Sequence, residues 1–528
     1  GAAPTPGAAP AVAPTAVTSA PAAPTVAATA EGVIPSPAPG VPEAYLRIPP
    51  SAKSVAGVPG KGGKVSSAIM SFLPPVPGRD QNRYWQELER RLGVSAYEAN
   101  LIPSDAYKEK VTALVAGDTL PDLTFVEQLN APELLRTINQ GAFLDLTAEL
   151  SGDGLKAYPN LAKIPDYAWK NVRIKGKIYG VPSPRFIPDR ALLFRDDWAQ
   201  KVGPAQPKNK DEFLQLARNL TAGDPDGDGQ PNTYGVGSWG SMVLSLPFFQ
   251  NMFRTPNEWR LNPDGTLTHT VETEEFKAAV GYVRSLWEAR VFHPDSLSLS
   301  VQQTKDAFSG GKIGAYVDGW TALAGQRDTL RTRDAKLSAS ILVPPGHDGG
   351  KAVTDNSQGF FGFAAIPTKL GRDPERVKEL LRVCDFFCAP FGSEEYSFLR
   401  YGLPGDHHEL RNGLPVLTDR GRAEIGALAN IARRNDVFFY PNYPEDARLM
   451  QGLCRDQMAL GVDNPVISIF SPTYVSKAGE LNQLRIDRVS AVVAGREPLS
   501  ALDQYVRDWR SRGGDQMRKE YQDALKNP

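Results

Sequence analysis

A chain of 528 residues is longer than one compact core sustains, so two large lobes are expected once the N-terminal segment is set aside. Its 59 Lys and Arg against 60 Asp and Glu leave no basic excess to attract nucleic acid or an anionic membrane, and no uninterrupted apolar run approaches the length of a bilayer span. The three cysteines, Cys384, Cys388 and Cys454, form no disulfide framework and meet no histidine cluster that would complete a zinc site, and they read as buried small hydrophobes.

Residues 1–62 are Ala, Pro, Thr, Val and Gly almost throughout. So few large apolar side chains do not offset the entropy of ordering, and proline favours extended, solvated chain, so this segment is expected to be a disordered tether. From Val65 the texture changes. VSSAIMSFL reads as a strand, and NRYWQELERRLGV as a helix with Trp85, Leu88 and Leu92 on one face and Gly93 as its stop. AYKEKVTALVAG puts Tyr107, Val111, Leu114 and Val115 on a shared face, LPDLTFV is a short buried strand, and PELLRTINQG is a helix opened by Pro132 and closed by Gly141. This rhythm predicts a largely parallel sheet covered on both faces. It resumes after Asp189 with the strand ALLFRDD and the helix DEFLQLARNLTA. The chain ends in two helical stretches, PTYVSKAGELNQLRIDRVSAVVAG and PLSALDQYVRDWRSRGG, each stopped by glycine. Trp85, Trp287 and Trp509 fall on helical apolar stripes and are assigned to packing.

The helix DEFLQLARNLTA runs straight into DPDGDGQPNTY. Asp224, Asp226 and Asp228 are spaced by two, Gly229 stands where a calcium loop turns, Gln230 offers its backbone carbonyl, and Asn232 offers a side-chain oxygen. Three carboxylates this close repel one another without a cation. The twelfth position, where an EF-hand keeps a bidentate Glu, is Gly235, and the competing reading is a plain Asp/Gly/Pro turn. With no open coordination position and no neighbouring acid or base, Ca2+ held here is structural rather than catalytic.

Five stretches, YKEKVTALVAGDTLPDLTFV, KGKIYGVPSPRFIPDRALLFRDDWAQKVG, FSGGKIGAYVDGW, YGLPGDHHEL and the closing GREPLSALDQYVRDWRSRGGDQMRKEYQDAL, follow one another in a characteristic order. In this the chain resembles the extracellular solute-binding proteins of bacterial ABC importers, of the carbohydrate type, and the lipoprotein branch with a DPDGDG-type loop; it is similar to alginate- and maltose-binding proteins. The resemblance implies an α/β fold of two periplasmic-binding-protein-like lobes (type II) with a ligand cleft between them. The first lobe would take 63–188 and 360–405, and the second 189–359 and 406–528. It also implies a monomer that captures an oligosaccharide outside the cell and delivers it to ABC permease subunits. The Gly-Ala-Ala start before a long linker resembles mature lipoproteins, which implies tethering to the outer face of the cytoplasmic membrane by a lipidated Cys absent from this sequence.

A sugar cleft combines aromatic platforms with polar donors and acceptors. Candidates lie at strand ends: Glu127 after LPDLTFV, Trp239 after TYGVGS, and Trp320 after IGAYVDG, with Asp318 beside it. The resemblance implies that Trp320 is the stacking residue. Arg185 and Asp189 lie in SPRFIPDR at the expected lobe crossing, Phe360 in SQGFFGF at the return crossing, and Tyr440 and Tyr443 in FFYPNYPE before the C-terminal helices. Core packing competes with ligand contact for each of these aromatics.

No nucleophile elbow, Walker loop, zinc helix or dinucleotide fingerprint sits on the element it needs, and adjacent His407 and His408 diverge, so no enzymatic role is expected. Two alternatives share the same features: a secreted calcium-stabilised carbohydrate-active enzyme, whose carboxylates would have to face each other across the cleft, and a cell-surface carbohydrate adhesin.

Overall fold

The computed structural model describes residues 32–128, 132–188, 190–434 and 437–526. The strand Lys64–Ser71 runs parallel to Ala96–Pro103 on one side and to Leu123–Glu127 on the other. Asn82 opens the helix between the first two strands, its side chain accepting from the Trp85 N–H at 2.9 Å, and Gly93 closes it in the left-handed region at φ 67°. Tyr84, Leu88 and Leu92 are buried on its inner face, while Trp85 is half-buried and donates its indole N–H to the Tyr97 carbonyl at 2.9 Å.

The sheet is completed by Phe360–Ala365, antiparallel to both Leu123–Glu127 and Gly180–Pro184. One strand of five is therefore reversed, a departure from the expected parallel sheet. The chain returns from the second lobe at the edge where Gly180–Pro184 left, so it must run the other way. PELLRTINQG also differs from the single helix expected: it divides into a 3-10 turn, Pro132–Leu135, and a short α-helical turn, Arg136–Asn139.

In the second lobe Arg190–Phe194 lies between Ala315–Gly319 and Ser340–Leu342, antiparallel to both. Its alternation buries both faces. Leu192 and Phe194 enter a core with Trp198, Phe249, Phe276 and Trp509, whereas Ala191 and Leu193 enter another with Tyr316, Phe308 and Ile341. Trp287 packs against the first of these cores. The three cysteines are buried, and among the described residues they form no disulfide.

Two expected boundaries are corrected. Ile425, Leu428, Ile431 and Ala432 belong to the first-lobe core, so 406–432 is part of that lobe and not of the second. This segment clasps the helix start: Asn82 Nδ2 donates to the Glu424 carbonyl at 2.8 Å, and the Glu424 carboxylate accepts from the Arg83 N–H at 2.8 Å and meets His407 Nε2 at 3.1 Å. His408 turns elsewhere, to the Tyr401 carbonyl at 2.8 Å.

The second correction concerns the tether. From Gly32 onward the segment is a strap across both lobes; residues 1–31 lie outside the described residues. Val33–Ile34 pairs with Ala44–Tyr45, which pairs in turn with Phe438–Phe439. Ile34, Val41 and Ala44 are buried in the second lobe, where Gln451 Nε2 reaches the carbonyls of Ile34, Pro35 and Pro42 at 3.2, 3.1 and 2.9 Å. The strap then meets the first lobe. Ser54 donates its N–H and hydroxyl to Glu395 at 2.9 and 2.8 Å, Arg382 donates to the Pro59 carbonyl at 3.0 Å, and the Gly60 N–H donates to the Leu92 carbonyl at 2.7 Å. Composition missed this because proline carbonyls remain good acceptors when the body supplies the donors.

Removing the Gln451 amide leaves three strap carbonyls short of a donor. Gln451→Ala is expected to lower unfolding free energy by about 1–3 kcal/mol, read as a lower urea midpoint with unchanged slope; an unchanged midpoint would show that the strap is not anchored there.

Candidate functional site

Two chain crossings between the lobes lie side by side. The Arg185 N–H donates to the Gly359 carbonyl at 2.8 Å, and the Ser357 N–H donates to the Ile187 carbonyl at 2.9 Å. Gly359 adopts φ 77°, and a Cβ there would sit 2.4 Å from the Tyr167 ring, so only glycine fits this turn. Phe186, from the first crossing, stacks on Phe438 at 4.5 Å and meets the edge of Trp320 at 5.6 Å.

Beside these crossings the second lobe holds a polar recess of about 280 Å³, lined by Arg190, Gln250, Glu258, Thr270, Asp355, Asn482 and Arg485 among others. Asn482 and Arg485 come from the helix Pro472–Val493, whose Val475 is buried in the first-lobe core while Leu481, Leu484 and Val489 are buried in the second. That helix spans the two lobes at the recess. Arg485 Nη2 donates to Gln250 Oε1 at 3.1 Å, and Nη1 stands 3.9 Å from Glu258 Oε1.

Glu258 carries a left-handed backbone, φ 60°, unusual for a residue with a side chain. Its carboxylate meets His269 Nε2 at 3.3 Å, and the His269 ring stacks on Trp509 at 4.3 Å. Burial works to raise the Glu258 carboxyl, but the hydrogen bond and charge of His269, aided by Arg485, outweigh it and hold the group at about 2. Asp355 behaves in the opposite way. Burial first, and the Glu258 charge second, push its carboxyl up to about 7 against the pull of Arg485. Its Oδ1 and the Arg485 Nε are both buried without a hydrogen-bond partner. Such groups cost free energy unless something else completes them.

The residues anticipated from sequence are scattered. Trp239 is half-buried, donates its indole N–H to the Val317 carbonyl at 3.1 Å, and has the Arg190 guanidinium 5.8 Å from its ring, next to the recess. Trp320 is only 1% exposed, packed against Phe186 and Phe438, so it fills the joint between the crossings and offers no open platform. Asp318 is buried and engaged by the Tyr316 hydroxyl at 3.2 Å, the Gly319 N–H at 2.7 Å and Lys305 at 3.2 Å. Glu127 is buried in register with Gly362, and Phe360 lies in the first-lobe core. Arg185 covers the Phe361 ring at 4.0 Å. Tyr440 packs against the second lobe, and Tyr443 lies under Arg331 at 3.9 Å. Asp189 lies outside the described residues. Gln250, Glu258, Asp355, Asn482 and Arg485 escaped sequence reading because they come from separate segments that only the fold unites.

The acidic loop is assembled as its spacing suggests. Carboxylate oxygens of Asp224, Asp226 and Asp228 lie within 4.8 Å of one another. Asp224 accepts from the Gly227 and Gly229 N–H groups at 3.1 and 3.2 Å, both glycines having positive φ. Asp228 accepts from Asn232 Nδ2 at 2.9 Å and from the Gln230 N–H at 2.7 Å, which lower its carboxyl. This leaves Asn232 Oδ1 buried without a partner. An orphaned oxygen beside three converging carboxylates is the donor set of a hard cation.

Two α/β lobes joined by paired crossings, with a polar recess beside them, define a class of proteins that take up a small ligand between lobes. The profile of the bacterial extracellular solute-binding protein family matches residues 97–381, and the chain belongs to that family. It is 25% identical over 492 residues to the polygalacturonan/rhamnogalacturonan-binding protein YtcQ of Bacillus subtilis (strain 168), covering 90% of this chain and 94% of that one. The alginate-binding protein AlgQ2, solved without calcium ion, superposes with a TM-score of 0.63 at 15% identity over 89% of this chain and 99% of its own. An EF-hand mutant of the Streptococcus pneumoniae binding protein FusA, in complex with fructo-nystose, gives 0.61 at 16% identity over 88% and 100%.

A carboxyl whose folded-state value is raised contributes stability that is complete below its unfolded value near 4 and is lost as pH rises through about 7. Asp355→Asn is therefore expected to match wild type near pH 4 and to exceed it by on the order of 1–3 kcal/mol at pH 8, measured by denaturant titration across that range. A difference that does not change with pH would show that Asp355 is solvated.

Proposed function

We propose that the protein is the substrate-binding component of an ABC importer, capturing an oligosaccharide between its lobes and handing it to membrane permease subunits. The observation that carries this reading is the recess beside the crossings, where Asp355 Oδ1 and Arg485 Nε lack partners that ligand hydroxyls would supply. Trp239, its ring 5.8 Å from the Arg190 guanidinium, provides an aromatic face beside it. The names of YtcQ, AlgQ2 and the FusA complex, all carbohydrate binders, support an oligosaccharide as the ligand class. Contacts from both lobes favour the closed arrangement by their differential strength there. The protein acts as a monomer on the outer face of the cytoplasmic membrane.

A thermal-shift screen against oligosaccharides tests this, because a ligand bound only by the folded state raises the midpoint. Arg485→Ala should weaken the ligand found by roughly ten- to a hundredfold, the range of one charge-assisted hydrogen bond. No shift with any oligosaccharide would sink the capture reading. One observation favours the alternative of a carbohydrate-active enzyme: Glu258 is held near 2 while Asp355 is raised near 7, the division seen in acid and base pairs. Chromatography of the recovered ligand separates the two, since a binding protein returns it uncut.

The acidic loop is proposed as a structural Ca2+ site held by Asp224, Asp226 and Asp228, the Gln230 carbonyl and Asn232 Oδ1. Calcium is expected to raise the melting temperature by roughly 2–6 °C over chelator, and Asp226→Ala to abolish the response. An equal midpoint with calcium and with chelator in wild type would leave the loop a turn.

A further inference from the structure

A cavity of about 830 Å³ lies in the first lobe, apart from the recess, between the loop 73–77 that follows the strand Lys64–Ser71 and the segments 387–400 and 417–434. Its wall is largely apolar, built by Pro74, Pro75, Val76, Leu399 and Ile425 with the Tyr396 ring. One end carries Arg400 and Arg433. Among the described residues the only carboxylate in the lining is Asp419, and it is taken by Arg422 at 2.5 Å. Among the described residues no acid forms an ion pair with Arg400 or Arg433; Arg400 Nη2 donates to the Arg434 carbonyl at 2.9 Å. Arg185 lies near enough for its charge to act on Arg433, and with Arg400 it adds to burial in pushing that guanidinium down to about 9. Positive charge thus extends from the cavity towards the lobe crossing, where Arg185 covers Phe361.

Buried charges are normally paired, and a guanidinium held among like charges is destabilising until an anion joins it. We propose that the Arg400–Arg433 end of this cavity receives the carboxylate of an acidic sugar residue, so that the captured ligand is a uronate-containing oligosaccharide. A planar guanidinium fork matches a carboxylate with two parallel hydrogen bonds. The proline and aliphatic wall covers the apolar face of the sugar ring, the usual division of labour in a ligand pocket. Neutral sugars supply no charge to this end and leave both arginines without a counter-ion. The inference rests on the oligosaccharide reading and deepens it.

The test is calorimetric titration with oligogalacturonate and oligomannuronate trimers, each alongside its carboxyl-reduced neutral counterpart, for wild type, Arg433→Ala and Arg433→Lys. Wild type is expected to bind at least one acidic trimer tenfold or more tighter than its neutral form, with the preference shrinking at high salt. Arg433→Ala should lose that preference, and Arg433→Lys should keep part of it, since the charge remains but the fork does not. The ligand-free melting temperature of Arg433→Ala should hold or rise, because a repelled buried charge has gone; a purely structural Arg433 would lower it. Equal binding of acidic and neutral trimers, or a preference that survives in Arg433→Ala, overturns the inference while leaving oligosaccharide capture intact. Failure of both acidic trimers to bind overturns it as well, and only the absence of any oligosaccharide binding in the wider screen reaches the capture reading.

Discussion

The paired crossings between Arg185 and Pro188 and between Asn356 and Gly359 are the constraint on which the rest of the molecule depends. Backbone hydrogen bonds at both ends of this ribbon make two connections behave as one. Gly359 is confined to glycine by the Tyr167 ring, and Phe186 carries the joint into the aromatic group with Trp320 and Phe438. Interior packing tolerates few intermediate arrangements, so a joint built this way favours discrete positions of the lobes over continuous drift. The burial of Trp320 follows from the same requirement. A tryptophan at a strand end next to a hinge is a natural platform on sequence grounds, but here its area is used to fill the joint.

Around that joint the chain adds two further links between lobes. The helix Pro472–Val493 buries Val475 in one core and its later apolar residues in the other, and it brings Asn482 and Arg485 to the recess. The strap from Gly32 to Gly62 joins the Phe438–Phe439 edge to the helix end at Leu92. Asn482 and Arg485 therefore sit on an element held from both sides, which limits their conformational freedom. The network of His269, Glu258, Arg485 and Gln250 is likewise supported from behind, by the stacking of Trp509 on the buried His269.

Electrostatics divides the cleft surroundings into two regions of different character. In the second lobe two carboxylates and two arginines share a small recess, and the opposed environments of the carboxyls keep one ionised and the other near neutrality. The first-lobe cavity has an excess of guanidinium at one end and an apolar wall. The overall charge balance of 59 basic to 60 acidic residues conceals this separation, because composition averages over a surface whose patches are set by folding.

Much of the local structure was legible in the sequence. Asn82 and Gly93 bracket their helix because a side-chain acceptor and a left-handed glycine satisfy backbone groups within one turn. The short apolar runs VSSAIMSFL and LPDLTFV marked two strands that form, and Asp224, Asp226 and Asp228 were bound to converge because so few bonds separate them. Ordered motifs along the chain, three of the five lying within the residues that the family profile matches, carried the two-lobe fold. Tertiary structure decided the matters that depend on distant segments: the reversed strand Phe360–Ala365, the membership of 406–432 in the first lobe, and the ordering of a strap whose composition favours solvated chain. It also decided which side chains line the recess. Asp355 and Arg485 are 130 residues apart in sequence by their numbers and share a recess through packing alone, whereas Trp320 and Asp318, prominent on one strand, are claimed by neighbours from other elements. Caps, turns and alternation are set by bonds within a few residues, and burial is set by whatever the rest of the chain brings to the same place.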